Sequence, residues 1–135
     1  MIRFLFLVAW SATALAHTPV TVERVIDGDT FIASWEPLPG VTVRTRIRIA
    51  GVQAPETRTR RDCEKRAGRA ATAFLESLVG SRVIYLENVR NGTYSGRHVA
   101  DVYAGHDSIP DLLIDAGLGM PYDGKGKAPN WVCTD

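Results

Sequence analysis

Residues 41–79, VTVRTRIRIAGVQAPETRTRRDCEKRAGRAATAFLESLV, change their hydrophobic period once, and that change decides the fold. Over Val41–Ile49 the period is two. Thr42, Arg44, Arg46 and Arg48 face one way, and Val41, Val43, Ile47 and Ile49 the other, as alternate residues of a strand do. From Asp62 to Val79, small and apolar residues recur at Ala67, Ala70, Ala71, Phe74, Leu75 and Leu78. That is the spacing of one helix face. Asp62 is placed to cap this helix and Gly80 to end it.

The flanking segments complete the pattern. Val20–Ile26 and Thr30–Trp35 are β-rich and enclose the turn residues Asp27–Gly28–Asp29, which predicts a hairpin. After the helix, Arg82–Glu87 reads as a fourth strand, Asn88–Ser95 as a polar loop and Arg97–Ala104 as a fifth strand. Ser108 caps a second helix with Pro110 in its first turn. Leu112, Leu113 and Ala116 form its buried side, and Gly117 stops it. Trp35 and Trp131 read as packing residues, and His98 and His106 fall on a strand face and in a turn. Three strands, a helix, two strands and a second helix give the order of an OB-type barrel. The expected class is α+β, mostly β: a five-stranded OB-fold barrel with two or three appended helices. No internal repeat or linker divides the 135 residues, a length suited to one domain.

Composition narrows the partners. With 16 basic and 15 acidic side chains the net charge is +1, which excludes a protein held on nucleic acid by bulk charge. Any polyanion must meet a local patch, and Arg44, Arg46, Arg48, Arg58, Arg60, Arg61, Lys65, Arg66 and Arg69 supply one, although most such residues simply line a solvated face. No apolar run reaches the ~18 residues of a membrane span. The N-terminus has the three parts of a signal peptide: Arg3, the apolar Phe4–Trp10, and the small-residue site Ala14–Leu15–Ala16. The alternative is a buried first helix or strand. Cleavage after Ala16 divides the chain into a leader, 1–16, and a mature domain, 17–135, with export to the periplasm or medium. An even cysteine count in an exported chain favours a Cys63–Cys133 disulfide over two separate thiols.

Three segments carry possible chemistry. Asp27 and Asp29, two apart at a tight turn, offer oxygens to a hard cation, although solvated acids in a hairpin turn look the same. The spacing is not that of an EF-hand. Arg48 ends a strand and is followed by Gln53–Ala54–Pro55–Glu56, where the proline fixes the corner that presents Glu56. Gly96–Arg97 begins the fifth strand after an irregular turn. Tyr94 and Tyr122 are weaker candidates, for stacking on bases.

Together, Val25–Thr30, Arg48, Ala54–Pro55–Glu56, Gly96–Arg97 and Leu112–Leu113 with Ala116–Gly117–Leu118 resemble the staphylococcal-nuclease-like (thermonuclease) family, over about Val20 to Tyr122. The resemblance implies an OB-type barrel with appended helices and Ca²⁺-dependent cleavage of phosphodiester bonds in DNA and RNA. It implies Asp29 as a calcium carboxylate, Asp27 in support, and Ala54 as a carbonyl ligand. Glu56 becomes the general base or the residue that orients the attacking water, and Arg48 and Arg97 grip the phosphate. One position departs: the second carboxylate ligand falls at Gln53, which keeps an oxygen but loses a charge, so calcium affinity should drop. The expected protein is an exported, monomeric nuclease (a hydrolase acting on ester bonds), free of the membrane after leader cleavage. The alternatives are a noncatalytic OB-fold module that binds single strands and a secreted scaffold without a nucleic-acid role.

Overall fold

The computed structural model describes residues 17–93 and 96–133. Its strands are β1 (Thr18–Asp27), β2 (Thr30–Leu38), β3 (Val41–Ile49), β4 (Gly51–Gln53), β5 (Ile84–Asn91), β6 (Arg97–Ala104), β7 (Asp107–Ser108) and β8 (Met120–Tyr122). The helices are α1 (Asp62–Ser81) and α2 (Ile109–Asp115). Strands β3, β2, β1, β5 and β6 run in that order, and parallel pairing of β3 with β6 closes them into a barrel. This is the OB-type α+β architecture, with two helices among the described residues.

Alternation along the strands fills the barrel. Phe31 and Ala33 of β2, Ile47 and Ile49 of β3, Ile84 and Leu86 of β5, and Ala100, Val102 and Ala104 of β6 are all buried. Helix α1 lies against β1 and adds Ala71, Leu75 and Leu78 to the same core. Each fully buried leucine contributes roughly 2–3 kcal/mol of transfer free energy. Helix α2 adds Ile109 and Leu113. Val41 faces solvent instead of the core, because β2 and β3 run past the barrel into an exposed hairpin tip at Leu38–Val41.

Several boundaries differ from the sequence expectation. Asp62 is the first helical residue of α1 and not its cap; that place belongs to Arg61, which makes no side-chain cap bond. Asp62 and Glu64 instead put negative charge in the first turn, where the helix dipole favours it. Gly80 lies within α1, which runs one residue further and ends as the Arg82 N–H bonds the Leu78 carbonyl. Half of the expected loop at 88–95 is strand: β5 continues to Asn91 past a register shift between Glu87 and Arg90. Asn88, at φ 50°, takes the left-handed conformation that asparagine tolerates. In α2, Ala116 is the exposed C-terminal flank and not a buried residue; Ile109 and Leu113 carry the packing. The short sheet of β4 with β8, which pairs Gly51 with Tyr122 and Gln53 with Met120, has no signal in the periodicity.

Candidate active site

Two loops meet at one end of the barrel, and α1 holds both. The Asp27–Gly28–Asp29 turn joins β1 to β2, with Asp27 opposite Thr30. A Cβ on Gly28 would stand 2.6 Å from Cβ of Ala71 and 2.9 Å from that of Ala54, so only glycine lets the turn meet the helix this closely. Gly68 does the same for the second loop. A Cβ there would lie 2.8 Å from the Pro55 carbonyl oxygen and 3.0 Å from the backbone of Glu56.

Asp29 is the hub. Its side chain is 8% exposed. Oδ1 accepts from Thr30 Oγ1 at 2.9 Å, and Oδ2 accepts from the Ala54 N–H at 2.9 Å. Arg48 Nη2 stands 3.3 Å from the same Oδ2. The backbone N–H of Asp29 donates to Asp27 Oδ1 at 3.1 Å, and its carbonyl accepts from the Ile49 N–H. Burial pushes the Asp29 carboxyl up to about 7, with help from the Asp27 charge and hydrogen bond. The Arg48 guanidinium and the Ala54 N–H pull the other way and do not offset it. One cation is thus too little to keep this buried carboxyl ionised at neutral pH.

Arg48 is held as firmly. Nη1 donates to the carbonyls of Ile49 and Val52, both at 2.8 Å, and Nη2 donates to Gln53 Oε1 at 2.8 Å. A phosphate oxygen can take Nη2 only by displacing Gln53 or Asp29 from it. Gln53 Nε2 in turn donates to the Ala54 carbonyl and to Glu56 Oε1, both at 3.3 Å. The amide therefore ties the arginine to the glutamate. The Glu56 side chain is exposed, and its backbone N–H donates to Glu64 Oε1 at 3.4 Å.

The structure thus gathers Asp27, Asp29, Arg48, Gln53, Ala54 and Glu56 into one hydrogen-bonded group. Arg97 begins β6 with its Cα opposite Arg46. Opposed residues share a sheet face, so Arg97 stands on the face of Arg48, without a side-chain bond to the group among the described residues. Tyr122 lies opposite Gly51, on the strand paired with the one that carries Gln53, and its hydroxyl donates to the Gly126 carbonyl at 2.7 Å. Tyr94 lies outside the described residues.

A cavity of about 180 Å³ opens beside Glu56. Gln53, Ala54 and Met120 form one side of it, and Pro129, Asn130 and Trp131 of the tail form another. The Cys63–Cys133 disulfide and a 2.9 Å bond from Arg61 Nη1 to the Trp131 carbonyl hold that tail in place. Sequence reasoning anchored this tail through Trp131 and the disulfide but did not place it beside Glu56, and it missed Glu64; Thr30 it grouped with Asp29 without a role of its own.

The donor set suits a hard cation. Asp29 and Asp27 offer carboxylate oxygens, Ala54 a carbonyl and Gln53 an amide oxygen, with no nitrogen or sulfur ligand among them. Chemically, the group combines oxygens for a cation, a fixed guanidinium and a carboxylate open to water.

No curated protein matches the chain. The family model described as staphylococcal nuclease homologue matches residues 46–130, more than half of the chain. That span includes Arg48, Gln53, Ala54, Glu56 and Arg97. With the closed barrel and this match, the chain belongs to the family of staphylococcal nuclease homologues.

Proposed function

We propose that this protein is an exported, calcium-dependent nuclease that hydrolyses phosphodiester bonds in DNA or RNA. One observation carries the reading: Asp29, Arg48 and Glu56, far apart in sequence, are joined through Gln53 and the Ala54 backbone into a single hydrogen-bonded group.

A phosphodiester is anionic and repels a hydroxide, so hydrolysis needs positive groups around its non-bridging oxygens. Arg48 supplies a guanidinium whose orientation is fixed by two backbone carbonyls before substrate arrives. Arg97, on the same face, takes charge that grows on the phosphoryl oxygens and the leaving oxygen. Glu56 accepts a proton from the attacking water. The new P–O bond forms in line with the one that breaks; the departing sugar oxygen takes a proton from solvent water, and Glu56 gives its proton back to solvent. Gln53 holds Arg48 and Glu56 at a set separation. Asp29, Asp27, the Ala54 carbonyl and the Gln53 amide oxygen are the groups that would hold calcium. When bound, the ion supplies a Lewis acid beside the phosphate and compensates the buried Asp29 charge.

Export rests on the leader-like residues 1–16 and on the disulfide, a bond that persists in oxidising compartments. After leader cleavage the chain begins at His17, whose Nε2 lies 2.8 Å from Glu87. Amino-terminal sequencing of exported protein tests that cleavage, and sedimentation tests the monomer. No helix among the described residues is long and apolar enough to cross a membrane.

The decisive experiment incubates purified mature protein with single-stranded DNA and with RNA, in calcium and in chelator. Calcium-dependent cleavage that Glu56→Gln lowers at least a hundredfold is expected. A folded sample with no cleavage at millimolar calcium overturns the reading. Gln53, standing in place of a carboxylate, is what favours the alternative of a noncatalytic single-strand binder. That protein would bind oligonucleotides in chelator and never cut them.

A further inference from the structure

The outer face of the barrel holds more positive charge than the reaction needs. In the ladder register, Arg24 of β1 lies opposite Ile32 of β2, Ile32 opposite Arg46 of β3, and Arg46 opposite Arg97 of β6. Opposed residues point to one face. Arg24, Arg46 and Arg97 therefore share a single cross-strand row, beside the row of Thr30, Arg48 and Val99.

Two arginines directly opposite each other destabilise a sheet. Elsewhere the chain neutralises such residues: Arg44 pairs with Glu23, Arg82 with Asp107 and Arg90 with Asp101. Among the described residues, no carboxylate pairs with Arg24, Arg46 or Arg97. Arg24 and Arg46 are exposed. The row is thus a local cationic strip on a chain of net charge +1, and it adjoins Arg48. Arg46 and Arg48 sit two residues apart on one face, ~6.7 Å along the strand. An extended polyanion with one phosphate at Arg48 and Arg97 would carry its neighbouring phosphate past Arg46.

We propose that Arg46, with Arg24 outboard of it, forms a second phosphate subsite that binds the phosphodiester next to the one being cut. The inference rests on the nuclease reading and adds a direction to it: the substrate strand crosses the face of β3 from Arg48 toward β1.

The test measures binding without cleavage. A fluorescein-labelled thymidine octanucleotide is titrated in chelator, and Kd is followed from 25 to 300 mM NaCl. Each phosphate contact on a single strand adds about 0.7 to the slope of log Kd against log salt. Arg46→Gln should lower that slope by about 0.7 and weaken binding several-fold at low salt, while Arg46→Lys keeps the slope. Arg24→Gln should act in the same direction and less strongly. Arg82→Gln, distant and ion-paired, should change nothing. Competition by a dinucleoside monophosphate, with one phosphate, should be equal in wild type and Arg46→Gln. The thermal midpoint of Arg46→Gln should be no lower than that of wild type, since a like-charge contact is relieved. If wild type binds and neither Arg46→Gln nor Arg24→Gln alters the slope, the subsite is wrong and the nuclease reading stands. If wild type binds no oligonucleotide in chelator even at 25 mM salt, the strip holds no phosphate and the subsite is wrong; the nuclease reading is judged separately, by whether folded protein cleaves at millimolar calcium.

Discussion

Replacing Asp29 by Asn should make the protein more stable while abolishing its activity. The substitution keeps the shape of the side chain and removes its charge. The new Oδ1 can accept the Ala54 N–H, and the amide N–H can point at Thr30 Oγ1, a hydroxyl that accepts as well as donates. The magnitude follows from proton affinity. In the folded chain the Asp29 carboxyl binds its proton at about 7, against an ordinary value of 3.8, chiefly because it is buried. At about 1.4 kcal/mol per pH unit, its ionised folded form is disfavoured by up to ~4 kcal/mol. The sign is fixed by proton counting. Between 3.8 and about 7 the folded state binds more protons than the unfolded state. Stability therefore falls as pH rises through that window and levels off above it. Below 3.8 both states are protonated and the difference disappears. Urea unfolding of wild type and Asp29→Asn in chelator, from pH 4 to 9, reads this directly. The gap should open from near zero at pH 4 to as much as ~4 kcal/mol at pH 8. Calcium should then raise the stability of wild type alone, because it binds only the folded state. Two curves that stay parallel across the range would refute the claim that burial of the Asp29 charge costs stability.

Further expectations concern the chemistry and the framework. Arg48→Lys should lower cleavage about a hundredfold or more, since a lysine ammonium cannot reach the Ile49 and Val52 carbonyls and Gln53 in one planar arrangement; initial rates on single-stranded DNA check this. Gln53→Glu should lower the calcium concentration for half-maximal cleavage, because it adds a carboxylate to the donor set; a calcium titration that does not move removes Gln53 from that set. Cys63→Ser with Cys133→Ser should cost about 4 kcal/mol in urea unfolding, the loop-closure value for a sequence separation of 70. Leu75→Ala, at a fully buried site, should cost about 2–5 kcal/mol in the same measurement.

The barrel and its helices were legible because their signals are local. The switch from period two in Val41–Ile49 to period 3.6 after Asp62 marks the faces that turn to the core, and the buried Ile47, Ile49, Ala71, Leu75 and Leu78 follow it, while Val41 and Ala70 of the same stripes stay exposed. Boundaries were less legible because they depend on pairing. Asn88, Arg90 and Asn91 are polar and Val89 is exposed, yet β6 offers this stretch a ladder to join. The β4–β8 sheet forms between segments that are remote in the chain, and neither has enough length to show a period.

The sequence by itself determined which groups the candidate site has at its disposal: the carboxylates of Asp27, Asp29 and Glu56, the guanidiniums of Arg48 and Arg97, and a glutamine at 53. Only the tertiary structure decided what those groups do to one another. Hydrogen bonds and charge interactions act through space, and their strength depends on burial. Packing of α1 against Gly28, and of its own Gly68 against the Pro55–Glu56 backbone, brings Asp29 to the Ala54 backbone and makes its carboxylate hard to ionise. The same packing sets Gln53 between Arg48 and Glu56. Closure of β3 on β6, a contact between distant parts of the chain, aligns Arg97 with Arg46 and turns scattered arginines into a row.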